Sequence, residues 1–269
     1  MPAFSRPFAD CPDAALRPVA GVLTDIDDTL THEGAIEPEA LRALADLRAA
    51  GLPVIAITGR PMGWSEPFAC DWPIDAIVAE NGAVALFVEG GHLRTEYAQD
   101  EATRVHNAKR LAAAAQRVQR EVPGATLARD SAGRVTDIAI DHSEFAQLSA
   151  ERIDAVVAIM REQGMNATVS SIHVNGWFGS HDKRSGAQWI VRRLLGREVE
   201  AERDRWVYVG DSTNDQLMFA HYPLSVGVAN LMRFAEQLTV WPAWITQAER
   251  GRGFAELTER LLAVRSAVR

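Results

Sequence analysis

The sequence predicts an α/β protein built on a doubly wound parallel sheet, with a separate α+β unit inserted into it. Short segments that are apolar throughout alternate with helical stretches near both ends of the chain, the pattern of parallel strands buried on both faces. The middle instead reads as paired strands with short turns and two longer helices, the pattern of an antiparallel layered unit. A third observation bears on function. Each apolar segment near the chain ends runs into a polar cluster at its C-terminal end, the edge at which open parallel sheets bind ligands.

Residues 19–26 (VAGVLTDI) form the first predicted strand and lead into Asp25, Asp27 and Asp28. A helix follows over 38–50, with Pro38 in its first turn, Leu41, Leu44 and Leu47 on one face and Gly51 as its stop. Residues 53–58 (PVIAIT) make a second strand ending in Thr58, Gly59 and Arg60, and 76–79 a third ending in Glu80, Asn81 and Gly82. Toward the other end, 206–209 (WVYV) runs into Gly210, Asp211 and Ser212, followed by a helix over 215–220 and a strand over 224–228. Between these lie strand-like pieces near 83–88 and 93–97 and a long helix over 101–121. Strands over 126–129 and 135–140 follow, separated by the turn 130–133. Then come a helix over 149–163, with Ile153, Val156, Val157 and Met160 as its stripe, and strands over 167–172 and 173–178. The expected division is a Rossmann-like core at 1–83 and 181–269 and an α+β insertion at 84–180.

A chain of 269 residues fits one or two domains. Its net charge of −8 and the absence of a basic run argue against a nucleic-acid partner, although a few local cations and a metal suffice for a phosphorylated small molecule. The two cysteines, Cys11 and Cys70, have no metal-ligand spacing and read as free thiols of a reducing compartment. The first 18 residues carry four prolines, two of them early (Pro2 and Pro7), and acidic residues without an apolar stretch, and no run is long enough to span a bilayer. A cytoplasmic protein without a membrane partner is expected; its oligomeric state is not legible.

Four clusters carry chemistry. In Asp25-Ile26-Asp27-Asp28-Thr29, two carboxylates two residues apart can divide the work of a nucleophile and a general acid/base. Carboxylates packed this tightly repel one another unless a cation neutralises them, which implies a bound metal. At Thr58-Gly59-Arg60, a strand-end hydroxyl can donate to a phosphoryl oxygen while the glycine lets the backbone approach. Lys183, just before an apolar helix over 187–195, can neutralise a phosphoryl group and its attacking carboxylate. In Gly210-Asp211-Ser212-Thr213-Asn214-Asp215, Asp211 can complete an oxygen-rich site for Mg²⁺, with Asp215 one turn away as its supporting partner. Read singly, each has a plain alternative: a solvated acidic loop, a strand-to-helix turn, a surface lysine, a capping loop.

Together and in this order, the four resemble the signature motifs of the haloacid dehalogenase superfamily, over about 1–83 and 181–269. The resemblance implies Asp25 as nucleophile, Asp27 as general acid/base, Thr58 as the phosphate-binding hydroxyl and Lys183 as the charge-stabilising lysine. It implies Mg²⁺ held by Asp25, the backbone carbonyl of Asp27 and Asp211, with Asp215 in support. Substrate contacts are expected from Thr58, Gly59, Arg60, Asn81, Lys183 and Asn214. The insertion after residues 80–83 (ENGA) is similar to the α/β cap of the sugar-phosphatase and Cof-type branch, which implies a small phosphate monoester, a sugar phosphate, as substrate. His173, Asn175, Trp177 and His181 are further candidates to line the cap, with ordinary packing an equal alternative for His173 and Trp177. A phosphomutase could use the same residues, and a non-catalytic regulatory protein could keep the fold. Asp27 and the second acidic run argue against a dehalogenase.

Overall fold

The computed structural model describes residues 6–267. Its main element is a nine-stranded sheet. Arg6–Pro7, Trp244–Ile245, Leu224–Gly227, Trp206–Gly210, Gly21–Thr24, Val54–Ile57 and Ala76–Ala79 lie side by side and parallel, and Val84–Glu89 and His92–Tyr97 add an antiparallel edge. The chain leaves the central strand Gly21–Thr24 toward Val54–Ile57 and Ala76–Ala79 on one side. It returns at Trp206–Gly210 on the other. That reversal makes the C-terminal ends of Gly21–Thr24 and its two neighbours the topological switch point, where a crevice for ligands forms.

The central strands are apolar on both sides because both faces are covered. On one face Val22, Val54, Ala56, Ile77 and Val209 pack with Leu44 and Leu47 of the helix Pro38–Ala49 and with Phe254, Leu257 and Leu261 of the helix Arg250–Ser266. On the other, Leu23, Ile55, Ile57, Val78 and Tyr208 pack with Ala187, Ile190 and Val191 of Lys183–Leu195 and with Met218 and Phe219 of Gln216–His221. Leu41, which the helical pattern puts on the apolar face, is 39% exposed; Ala40 and Ala43 are buried in that helix instead.

The inserted unit is a four-stranded antiparallel sheet in the order Asn166–Val169, His173–Trp177, Asp137–Asp141, Thr126–Leu127. Its own core gathers Leu111, Ala114 and Val118 of the helix Glu101–Glu121 and Val156, Ile159 and Met160 of the helix Ala150–Glu162 over Ile138, Ile140 and Val174. The expected boundary at residue 84 needs correction. The hairpin Val84–Glu89 and His92–Tyr97 extends the large sheet, with Ala85 opposite Val78 and Leu86 opposite Ile77, and the insertion begins after it. The cause is the turn Glu80–Gly82: Glu80 (φ 50°) and Asn81 (φ 56°) take left-handed conformations that fold the chain back in the plane of the sheet. The outermost residues of the expected core, 1–5 and 268–269, lie outside the described residues, as does the start of the segment read for a leader. Among the described residues no helix is long and apolar enough to cross a membrane, and Cys11 and Cys70 are free.

Gly82 ends that turn at φ 108°, and a Cβ there would lie 2.1 Å from the carbonyl oxygen of Asp182. Asp182 caps the helix that carries Lys183, so this contact seats the lysine helix against the sheet. Gly82→Ala is therefore expected to destabilise by at least about 2 kcal/mol, from left-handed strain plus the clash, read as a lowered denaturation midpoint. An unchanged midpoint would mean that the two segments part without cost.

Candidate active site

The ends of Gly21–Thr24, Val54–Ile57 and Trp206–Gly210 converge with the start of the helix Lys183–Leu195. Lys183 Nζ donates to Asp25 Oδ1 at 2.7 Å and to Asp215 Oδ1 at 2.8 Å, and all three side chains are almost wholly buried. The local sequence aims the lysine. Asp182 accepts from the Ser185 N–H at 2.7 Å and its own N–H donates to Ser185 Oγ at 2.9 Å, a reciprocal cap that starts the helix at Lys183. One oxygen each of Asp25, Asp211 and Asp215 lies within 4.8 Å of the others.

The three carboxylates are not equivalent. Asp215 is saturated: Oδ1 takes Lys183 and the Tyr208 hydroxyl (2.5 Å), and Oδ2 takes the N–H groups of Asp211 (2.9 Å) and Ser212 (3.1 Å). This needs a glycine at 210, where a Cβ would sit 2.5 Å from the Asp215 carboxyl carbon. Asp211 is 1% exposed and its Oδ1 has no hydrogen-bond partner, while Oδ2 accepts from Asn230 Nδ2 at 3.3 Å. Asp25 accepts from Lys183 and is otherwise surrounded by like charge. Burial raises the proton affinity of both Asp25 and Asp211. Asp215 raises it further in each, and Lys183 opposes the rise. One lysine cannot balance three buried carboxylates, so this cluster, with its orphaned Asp211 oxygen, could hold a cation. The donor set is all oxygen, as a hard divalent ion such as Mg²⁺ requires.

Asp27 lies beside this cluster, its carboxylate held by Arg60, whose Nε donates to Oδ1 and Oδ2 at 2.9 and 3.0 Å. Its carboxylate is not among the clustered oxygens of Asp25, Asp211 and Asp215, so a share in a metal set would fall to its backbone. Thr58 is fully buried; its Oγ1 accepts from the Arg60 N–H at 2.9 Å and keeps its own hydrogen to donate. The Gly59 carbonyl accepts from Arg134 (2.8 Å) and Asn175 (3.2 Å), both from the insertion, so the Thr58–Arg60 turn is also where the two units dock. Glu80, wholly buried, adds to the docking by accepting from the N–H groups of Val135 and Thr136 and from the Thr136 hydroxyl.

Other expected residues are placed differently. Asn81 is buried against Asp137 at the docking surface (3.5 Å), and Asn214 accepts from the Ser212 hydroxyl at 3.0 Å. Neither lines the cavity of about 450 Å³ that opens beside Asp27, bounded by Asp28, Arg60, Glu144, Phe145 and Arg250 among others. Trp177 is packed, its indole N–H donating to the His181 carbonyl at 2.9 Å, and His173 binds Glu144 at 2.9 Å. Sequence reasoning missed Tyr208, Asn230, Arg250, Glu144 and Asp130. Tyr208 left a trace, a phenol inside an otherwise apolar strand; the others leave none, because their partners are distant in the chain.

Glu144 gives a pH prediction. Burial raises its carboxyl, but bonds from His173 and Arg60 more than offset this and hold it at about 2, below the ordinary 4.5. A depressed folded value means stability that is present above pH 4.5 and lost as pH falls toward 2. Discounted for the solvent that reaches its 20% exposed side chain, this is worth about 1–3 kcal/mol. Between pH 5 and 3 the denaturation midpoint of Glu144→Gln should fall less steeply than that of the unaltered chain; parallel curves would remove the assignment.

The geometry can be set beside known proteins. The family model described as haloacid dehalogenase-like hydrolase matches residues 22–119. No curated protein matches the chain in sequence. Among solved structures, the chain is similar to a HAD/COF-like hydrolase from Plasmodium vivax (TM-score 0.68, 15% identity, covering 94% of this chain and 99% of that one). It is similar also to the sucrose-phosphatase from Synechocystis sp. PCC6803, solved with sucrose and phosphate (TM-score 0.64, 17% identity, 90% and 98%). A third is a HAD subclass IIB sugar phosphatase (TM-score 0.61, 15% identity, 91% and 100%). At these identities the likeness is one of fold, and it extends through the insertion as well as the core. Residues 22–119 thus match the haloacid dehalogenase-like hydrolase family model, and the chain as a whole is similar in fold to hydrolases of that kind.

Proposed function

We propose that the protein is a Mg²⁺-dependent phosphoric monoester hydrolase that acts on a small sugar phosphate through a transient phosphoryl group on Asp25. The observation that carries this reading is the division among the buried carboxylates. Asp215 is used up by four hydrogen bonds, Asp211 has an orphaned oxygen, and Asp25 meets the lysine alone. Such a set suits one supporting acid, one metal ligand and one nucleophile.

Asp25, Asp211 and the Asp27 carbonyl would hold Mg²⁺, which supplies charge neutralisation at the phosphoryl oxygens when bound. Asp25 attacks phosphorus in line with the leaving oxygen, and Lys183 and the Thr58 hydroxyl stabilise the charge that develops on the equatorial oxygens. Asp27 gives its proton to the departing alcohol and then takes one from the water that cleaves the aspartyl phosphate. Tyr208 and the Asp211 and Ser212 N–H groups hold Asp215, and Asp215 holds Lys183 in reach of Asp25. The cavity beside Asp27 would take the leaving group, with the insertion as its second wall. A sugar phosphate is favoured by the fold likeness to sugar phosphatases and by a lining rich in carboxylates and arginines that can bond hydroxyls.

The test is phosphate release from a panel of sugar and polyol phosphates with Mg²⁺ and with EDTA. Release that disappears with EDTA is expected, with the ranking identifying the leaving group. Isomerised sugar phosphate without release would turn the reading to a phosphomutase, and inertness toward all would turn it to a non-catalytic protein.

A further inference from the structure

Arg60 reaches a different acid with each of its three guanidinium nitrogens. Nε holds Asp27 of the core, Nη1 donates to Asp130 Oδ2 at 3.2 Å and Nη2 to Glu144 Oε1 at 2.8 Å, both of the insertion. The arginine side chain is 5% exposed and those of Asp130 and Glu144 are 14% and 20% exposed. Each of the two insertion acids is fixed from behind. Glu144 Oε2 meets His173 Nε2 at 2.9 Å, and Asp130 Oδ1 accepts from Arg134 at 3.2 Å, itself anchored on Asp137 and the Gly59 carbonyl.

A guanidinium is a rigid planar fork, so two of its nitrogens cannot be pinned without fixing the third. Cut from Asp130 and Glu144, the side chain recovers its rotamers, and its grip on Asp27 loses direction. Resting on the phosphatase reading for the role of Asp27, we propose that Glu144 and Asp130 are positioning residues that act through Arg60, so that docking of the insertion sets the orientation of Asp27. They touch neither phosphorus nor its attacking carboxylate. Their effect falls on the one task for which Asp27 must point correctly, delivery of a proton to the leaving oxygen. Insertion and core are then coupled through the general acid as well as through the enclosure of the cavity.

The prediction is a dependence on leaving group. p-Nitrophenolate departs without a proton, whereas the alkoxide of glycerol 3-phosphate needs one. Asp130→Asn, which keeps shape, removes charge and lies outside the cavity lining, should lower kcat for glycerol 3-phosphate about tenfold more than for p-nitrophenyl phosphate. A role confined to holding the insertion closed would lower both alike, and equal losses overturn the proposal. A second measurement needs no turnover. In thermal unfolding, Asp27→Asn and Glu144→Gln should be non-additive by ~2–4 °C, and additive once Arg60→Met removes the link. Additivity with Arg60 present overturns the relay. Hydrolysis of neither ester by the unaltered chain would sink the phosphatase reading, while the thermal cycle would still decide the coupling.

Discussion

Asp25→Asn is expected to lower phosphate-ester hydrolysis by at least about 10⁴-fold and to leave no phosphorylated protein after acid quenching. The size of the effect follows from what the substitution does and does not change. The amide side chain would keep an oxygen to accept from Lys183, now 2.7 Å from Asp25 Oδ1, and the buried neighbours Asp211 and Asp215 would lose a like charge. The fold should therefore stand, and the unfolding midpoint should stay level or rise. A neutral amide oxygen is no nucleophile for phosphorus, so every step after binding is lost. Substrate affinity should survive, which separates a missing nucleophile from a collapsed site. Residual turnover within about tenfold of the unaltered chain would transfer the attack to water or to another residue.

Lys183→Met is expected to cost both stability and rate. The ammonium is 3% exposed and is the only cation bonded to Asp25 and Asp215 among the described residues. Removing one partner from such a buried set leaves uncompensated charge and costs about 3–5 kcal/mol. Mg²⁺ should restore part of this by supplying another cation, so the midpoint of the variant should depend on metal more strongly than that of the unaltered chain. Turnover should fall by about 10²–10³-fold even at saturating Mg²⁺, because in the proposed mechanism the lysine also stabilises charge at the transferring phosphoryl group. Equal metal dependence of the two midpoints would mean that the metal does not share the lysine's carboxylates.

The central part of this site was legible because its residues sit on a backbone pattern with local signals. Residues 19–26, 53–58 and 206–209 are apolar runs that stop at Asp25, Thr58 and Asp211, and the parallel sheet brings such ends to one edge whatever the chain does between them. Lys183 was read from its place before an apolar stretch, and the helix begins at that residue because Asp182 and Ser185 cap it. The hairpin at 84–97 was misassigned because a strand's pattern does not name its partner: the same alternation could pair within the insertion or against Ala76–Ala79. The left-handed pair Glu80 and Asn81 decides for the latter. Two helices of ten residues or more carry no clear signal in the sequence. Met62–Asp71 contains Pro67 and shows little amphipathic contrast, and the start of Arg250–Ser266, Arg250-Gly251-Arg252-Gly253, looks like a turn. The tie between Arg60, Asp130 and Glu144 spans 70 and 84 residues and exists only in three dimensions.

The most direct test of the account is to catch the phosphoryl group on the protein. The unaltered chain, mixed with a phosphate ester that it hydrolyses and with Mg²⁺, is quenched in acid within a turnover, digested and analysed by mass spectrometry. One phosphoryl group on the peptide that bears Asp25, absent with EDTA and absent from Asp25→Asn, is the predicted result. Phosphate release that proceeds at the normal rate with no such peptide, or with the group on another residue, would contradict Asp25 as the nucleophile.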